Sequence, residues 1–233
     1  MESFQIATFN IHHGKDLSSN YSTSVMIESI ESLGADIILV QELDVLALRT
    51  YFVNQPKKIA RALGYNYVTD RVRFFGLGFQ HNAIFSKFPI VGQSEISLPQ
   101  HGNQQLRKSL LTDIEIGSTH LHVANTHLHT HRGKTRYNRW AQDQLMFLMG
   151  KHKQCDTCII GGDLNMLPKE VVPVARENGY EAPHEYHTSP AINPRGQIDW
   201  LLSKNILLEN VCISELLCSD HRALTATATI LPV

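Results

Sequence analysis

Polar residues that end apolar runs are where this sequence concentrates its chemistry. Asn10 closes Ala7-Thr-Phe, Gln41-Glu42 follow Ile37 to Val40, and His127 follows Val123-Ala-Asn-Thr. Asp163-Leu-Asn165 follow Ile159-Ile-Gly-Gly, Asp199 follows Gln197-Ile198, and Ser219-Asp220-His221 come just before the last apolar segment. Strand ends at one rim of a packed sheet place their side chains round a common crevice. Singly, each has an ordinary explanation: Asn and Asp form turns, a strand-end Glu is solvated, and a His in a strand is a satisfied surface or core residue. The 13 histidines, against 21 lysines and arginines, are the compositional outlier, and imidazole both titrates near neutrality and binds metals.

The elements that must position these residues follow from periodicity. Phe4 to Asn10 alternates as a strand, Met26, Ile30 and Leu33 take helical spacing up to Gly34, and 36–41 is an apolar buried strand. A helix is predicted from Pro56 to Leu63, with Pro in its first turn and Gly64 at its end. Short strand-like runs then follow near 65–69, 80–86, 90–97, 107–116 and 119–127, as a meander. Tyr137, Trp140, Ala141, Leu145 and Leu148 mark a helix face. After it come a buried strand at 157–160, a short helix near 169–177, and closing strands near 197–203, 206–214 and 222–231. This order fits an α/β (α+β) four-layer sandwich: two mixed β-sheets packed face to face, with helices on both outer faces.

Composition narrows the classes. At 233 residues, 42% hydrophobic and with 14 Gly and 9 Pro, the chain is neither disordered nor linker-dominated, and residues 1–233 read as a single domain without repeats. A net charge of −1 gives no global field for nucleic acid or an anionic membrane, so any polyanion must meet a local patch. No apolar run reaches the ~18 residues of a membrane span, and no secretory leader is recognisable at Met1-Glu2-Ser3-Phe4, so a cytoplasmic location is expected. Cys155, Cys158, Cys212 and Cys218 admit two disulfides or one weakly zinc-like site. A core of this size needs no staples, so reduced thiols are expected. No Walker A loop or His-Glu-x-x-His helix occurs, which leaves nucleotide-driven motors and zincin proteases without support.

Taken together, Thr8-Phe-Asn10-Ile-His-His-Gly14, Gln41-Glu42, Asn82-Ala-Ile-Phe-Ser86, Asn125-Thr-His127-Leu128, Gly162-Asp-Leu-Asn165, Ile198-Asp-Trp200 and Ser219-Asp-His221 run through the whole chain in order. In this the sequence resembles the endonuclease/exonuclease/phosphatase superfamily, the DNase I-like metal-dependent phosphoesterases. The resemblance implies a metal-dependent phosphoester hydrolase. Glu42 and Asp220 would supply carboxylate oxygens to Mg²⁺ or Mn²⁺, with Asn10 adding a carbonyl ligand or orienting Glu42. Asp163 would hold or deprotonate the attacking water, and Asn165 would orient it or donate to a phosphate oxygen. Asp199 is similar to the family's partner of the final histidine, favouring the imidazolium of His221, and His127 would stabilise or protonate the leaving group. Arg107, Asn82 and Arg136 are further candidates for contacting phosphate. His rather than Tyr at 127, and no acidic residue two positions after Asn10, depart from some abasic-site endonucleases.

The substrate class stays open at this level, because one catalytic core serves many substrates. A phosphodiesterase or nuclease, acting as a monomer, is the first expectation. For that reading the basic stretch Arg132, Lys134, Arg136 and Arg139 should border the groove. A lipid or inositol-phosphate phosphodiesterase or phosphatase would instead show an exposed apolar rim, for which Phe74, Phe75, Leu77 and Phe79 are the candidates. A catalytically dead binding module is disfavoured by the complete residue set Asn10, Glu42, His127, Asp163, Asn165, Asp199, Asp220 and His221.

Overall fold

Alternating burial on two sides organises the molecule. In strand β1 (Ser3–Asn10), Phe4 and Ile6 join one core while Ala7 and Phe9 join another. In β2 (Ile37–Val45), Ile37 and Leu39 face the first core and Ile38 and Val40 the second. In β9 (Cys158–Asp163), Ile159 shares the first core, and Cys158 and Ile160 turn to a third. Side chains alternate across a strand, so each sheet must be covered on both faces. The computed structural model describes residues 2–75, 77–100, 102, 105–130, 138–215 and 218–232 and shows how this is met.

One sheet has the order β11 (Ile206–Ser214), β12 (Ala223–Ile230), β1, β2, β5 (Gly78–Ser86) and β3 (Asn66–Thr69), with β4 (Arg73–Phe75) also paired to β5. The other runs β10 (Asp199–Lys204), β9, β8 (Thr119–His127), β7 (Lys108–Ile116) and β6 (Ile90–Ser97). The first core lies between them, where Ile6, Leu39 and Ile84 meet Val123, Ile159 and Leu201. Helices α1 (Thr23–Ser32) and α2 (Gln55–Leu63) contribute Met26, Ile30 and Ile59 to the core on the outer face of the larger sheet. Helices α3 (Arg139–Lys151) and α4 (Pro168–Glu177) contribute Leu145, Leu148 and Val171 to the core outside the smaller one. The result is the expected four-layer α/β sandwich.

Local signals act where the sequence places them. Ser22 and Asn54 accept hydrogen bonds from the backbone N–H groups of Val25 and Lys57, at 3.3 and 3.0 Å, and so cap α1 and α2. Gly64 closes α2 in the left-handed conformation. Three features depart from expectation: β4 is an extra strand, β2 runs past Gln41 to Val45, and 3-10 turns form at His12–Gly14 and Leu48–Thr50. Cys155, Cys158, Cys212 and Cys218 are unbridged.

Candidate active site

The strand directions bring the polar ends to one rim. β1 and β2 are parallel with Asn10 opposite Gln41, and β8 and β9 are parallel with His127 opposite Asp163. β10 is antiparallel to β9 with Asp199 opposite Asp163, while His221 lies just before β12, which is antiparallel to β1. Beneath the rim, the buried Asn125 side chain ties the sheets together. Its amide donates to the carbonyls of Val40 and Ala83, at 2.9 and 2.8 Å, and its oxygen accepts from Gln41 at 2.8 Å. Val40 and Ala83 are paired where the β2–β5 ladder becomes irregular, so Asn125 satisfies carbonyls that the irregularity exposes.

That irregularity delivers Glu42, which has φ 62° between the paired residues Val40 and Leu43. Burial alone would raise the pKa of its carboxyl, but a hydrogen bond from His13 and the neighbouring imidazoles hold it well below the usual range. Asn10 donates through one amide group to Glu42 Oε1 at 3.5 Å and to Asp163 Oδ2 at 3.1 Å. Its Oδ1 accepts the His12 N–H at 3.1 Å. Asp163 is different in kind. Burial first, and then the charge of Asp199, raise its carboxyl to about 7. The Asn165 N–H donates to its Oδ1 at 3.0 Å, and His127 Nε2 lies 3.5 Å from its Oδ2.

Asp199 is fully buried, and its carboxylate meets His221 Nδ1 at 2.9 Å, with Nε2 of that ring 3.8 Å from Asp163. Burial would lower the pKa of His221, but the charge and hydrogen bond of Asp199 raise it to about 10, so the ring is an imidazolium at neutral pH. His127 goes the opposite way: burial and then the Arg107 charge push its pKa well below the ordinary value and keep it neutral. Asp220 is half exposed, with His12 Nδ1 at 3.2 Å.

The structure therefore brings Asn10, Glu42, His127, Asp163, Asn165, Asp199 and His221 together, with Asp220 reached through His12. Arg107 is buried and acts on His127 through its charge. Asn82 is engaged by Asp70, whose carboxylate accepts its backbone N–H and side-chain N–H at 2.7 and 3.0 Å. Arg136 lies outside the described residues, as do Arg132, Lys134 and Tyr137; Arg139 is exposed at the start of α3. Of the apolar candidates, Phe74 and Leu77 are 65% and 68% exposed, Phe79 is half-buried with its ring centre 5.3 Å from that of Phe74, and the Phe75 side chain lies outside the described ones.

Sequence reasoning gave no role to Arg73, whose charge also acts on His127, or to Asp44 and Arg49 behind Glu42. The adjacent His12-His13 pair was the one local signal there. The donor set at this rim fits a divalent cation. The Glu42 carboxylate is ionised, Oε2 is held by His13 at 3.0 Å, and Oε1 has only longer approaches, Asn10 Nδ2 at 3.5 Å and His127 Nδ1 at 3.7 Å, so an oxygen remains for a hard ion. Asn10 turns its N–H rather than its oxygen toward Glu42, which fits an orienting part. Asp163, Asp199 and His221 also offer ligand atoms within 4.8 Å of one another, but the Asp199–His221 hydrogen bond already accounts for that approach.

Carboxylates, amides and histidines thus gather at one rim of a two-sheet α/β sandwich. The family model described as the Endonuclease/Exonuclease/phosphatase family matches residues 7–221, and the chain belongs to that family. Membership supports a phosphoesterase hydrolase. The fold is similar to an endonuclease/exonuclease/phosphatase from Beutenbergia cavernae (16% identity, 99% of this chain and 72% of that one, TM-score 0.79). It is also similar to one from Bacteroides vulgatus (16%, 99% and 100%, TM-score 0.78). The human Nocturnin catalytic domain with bound sulfate anion is a third likeness (17%, 97% and 94%, TM-score 0.74). No curated protein matches the sequence. Among the described residues, no helix is long and apolar enough to cross a membrane.

Proposed function

We propose that this protein is a divalent-metal-dependent phosphodiester hydrolase, acting on nucleic acid or a related diester, with Mg²⁺ or Mn²⁺ as cofactor. One observation carries the reading: a single amide, that of Asn10, spans an ionised carboxylate (Glu42) and a carboxyl poised to take a proton (Asp163). Glu42 and Asp220 would hold the cation, which supplies charge neutralisation at a non-bridging phosphate oxygen.

The chain's own groups do the rest. Asp163 accepts the proton of the attacking water, its carboxylate fixed by Asn10 on one oxygen and the Asn165 N–H on the other. Asn165 spends one side-chain N–H on the Leu128 carbonyl at 3.1 Å, which leaves its Oδ1 to orient the water. His221, as an imidazolium held by Asp199, donates a charge-assisted hydrogen bond to a phosphoryl oxygen as charge builds there. His127, kept neutral, offers a ring N–H to the departing oxygen. Arg107 and Arg73 add positive charge on the same side.

A lipid or inositol-phosphate substrate is the second reading. Phe74 and Leu77 of the β4–β5 hairpin stand out into solvent, and Leu48 and Tyr51 after β2 are 61% and 78% exposed. Gly78 packs so closely on Leu46 and Ala47 that the hairpin and that loop are neighbours. Such an apolar rim suits an acyl surface. The test is hydrolysis of plasmid DNA, single-stranded DNA, bis-p-nitrophenyl phosphate, p-nitrophenyl phosphate, sphingomyelin vesicles and an inositol polyphosphate, with Mg²⁺, Mn²⁺ or chelator, beside Asp163→Ala. Diester cleavage that needs metal and is lost in the variant is expected. Cleavage that persists in chelator, or in the variant, overturns the proposal.

A further inference from the structure

Nothing in the β-ladder fixes the Glu42 side chain, since its residue sits at positive φ where the register shifts. Its orientation comes from behind. Glu42 Oε2 lies 3.0 Å from His13 Nε2, and the opposite ring nitrogen, Nδ1, lies 2.9 Å from Arg49 Nη2. A guanidinium offers only N–H donors, so beside Arg49 Nδ1 serves as the acceptor, which places the ring N–H on Nε2, facing Glu42. Nδ1 is also 2.9 Å from the Glu42 carbonyl oxygen and 3.6 Å from Asp44 Oδ1, acceptors that would draw the proton to Nδ1 if Arg49 were absent. The guanidinium therefore opposes the tautomer that would turn a lone pair toward the carboxylate.

Arg49 is itself anchored. The fully buried Asp44 accepts Arg49 Nε and Nη2, both at 2.7 Å, and Thr50 Oγ1 at 3.3 Å. Gln55, at the start of α2, closes the ring: its Oε1 accepts the Asp44 N–H and its Nε2 donates to the His13 carbonyl, each at 2.7 Å. The positive-φ turn of His13 is thus tied to the same assembly.

We infer that Arg49, anchored by Asp44, is a positioning residue: it fixes His13 in the tautomer whose Nε2–H holds Glu42 Oε2, leaving Oε1 presented to the cation. The inference rests on the reading of Glu42 as a metal carboxylate. Groups that orient a ligand's other side typically change metal affinity 10–100-fold when removed.

Arg49→Met keeps the stem and removes the donors, and Asp44→Asn combined with it avoids leaving a buried carboxylate unpaired. Mn²⁺ binding is followed by electron paramagnetic resonance, and the His13 tautomer by ring ¹⁵N shifts. Both variants are expected to bind Mn²⁺ roughly 10–100-fold more weakly, with the proton moving to Nδ1. Activity on bis-p-nitrophenyl phosphate should return at raised Mn²⁺ with KM unchanged, and Arg49→Lys should recover part of the affinity. Affinity within about twofold of wild type, in a folded double variant with an unmoved tautomer, overturns the inference while leaving the metal reading intact. Wild-type protein that binds no Mn²⁺ overturns both.

Discussion

Two carboxyls and two imidazoles at the rim are pushed in opposite directions by their neighbours, and that divergence is what assigns them work. Asp163 titrates near 7 because burial and Asp199 disfavour its charge, while His221 titrates near 10 because Asp199 favours its charge against burial. A base that must be deprotonated and an acid that must be protonated give a bell: kcat/KM should rise through about pH 7 and fall above about pH 10. Asp199→Asn removes a charge that raises both values, so both limbs should move to lower pH, read on a soluble diester at fixed Mn²⁺. An unmoved alkaline limb would count against His221 as the charged donor. Asp163→Asn keeps the shape and loses the base, and should lower kcat about 10²–10⁴-fold with an unchanged circular dichroism spectrum. Loss of less than tenfold would remove Asp163 from that part.

At the level of elements, the rim depends on strands that approach more closely than side chains allow. Gly162, next to Asp163, has φ 136°, and a Cβ there would sit 1.9 Å from the Thr126 carbonyl oxygen on the neighbouring β8. Gly162→Ala should therefore force β8 and β9 apart at the Thr126–Gly162 pair, next to the pair that carries His127 and Asp163. We expect a lowered Tm together with loss of turnover; a variant with wild-type Tm and kcat would show that the rim tolerates the shift. Much of this frame was legible in the sequence, because β1, β2 and β9 carry apolar runs ending in Asn, Glu and Asp, and because Gly34, Pro56 and Gly64 punctuate α1 and α2. β4 was not, since Arg73-Phe-Phe is too short to show a period. Nor was the geometry that turns Glu42 into the cleft, which resides in a backbone angle and a register shift rather than in residue type. The Asn125 tie and the Asp44–Arg49–His13 chain join residues that only the packed sheets and the 48–50 turn bring together.

For the molecule as a whole, the burial that equips the rim also works against stability. Asp70 shows this apart from catalysis: burial lifts its carboxyl to about 7, against the lowering effect of its hydrogen bonds from Asn82. An unfolded chain releases that proton near the ordinary aspartate value, so between about pH 4 and pH 7 the native state binds more protons than the unfolded one. The contribution to stability is thus favourable at low pH and is lost as pH rises through 7, by at most about 1.4 kcal/mol per pH unit. Asp70→Asn cannot ionise, and with its amide oxygen accepting the Asn82 N–H it leaves that contribution flat. Other titrating groups shape both curves alike, so the comparison is the difference in Tm, variant minus wild type, measured calorimetrically at pH 5 and pH 8. That difference should be more positive at pH 8. Equal differences at the two pH values would mean that Asp70 stays ionised in the folded protein, and that the polar network round Asn82 compensates for its burial more fully than the geometry indicates.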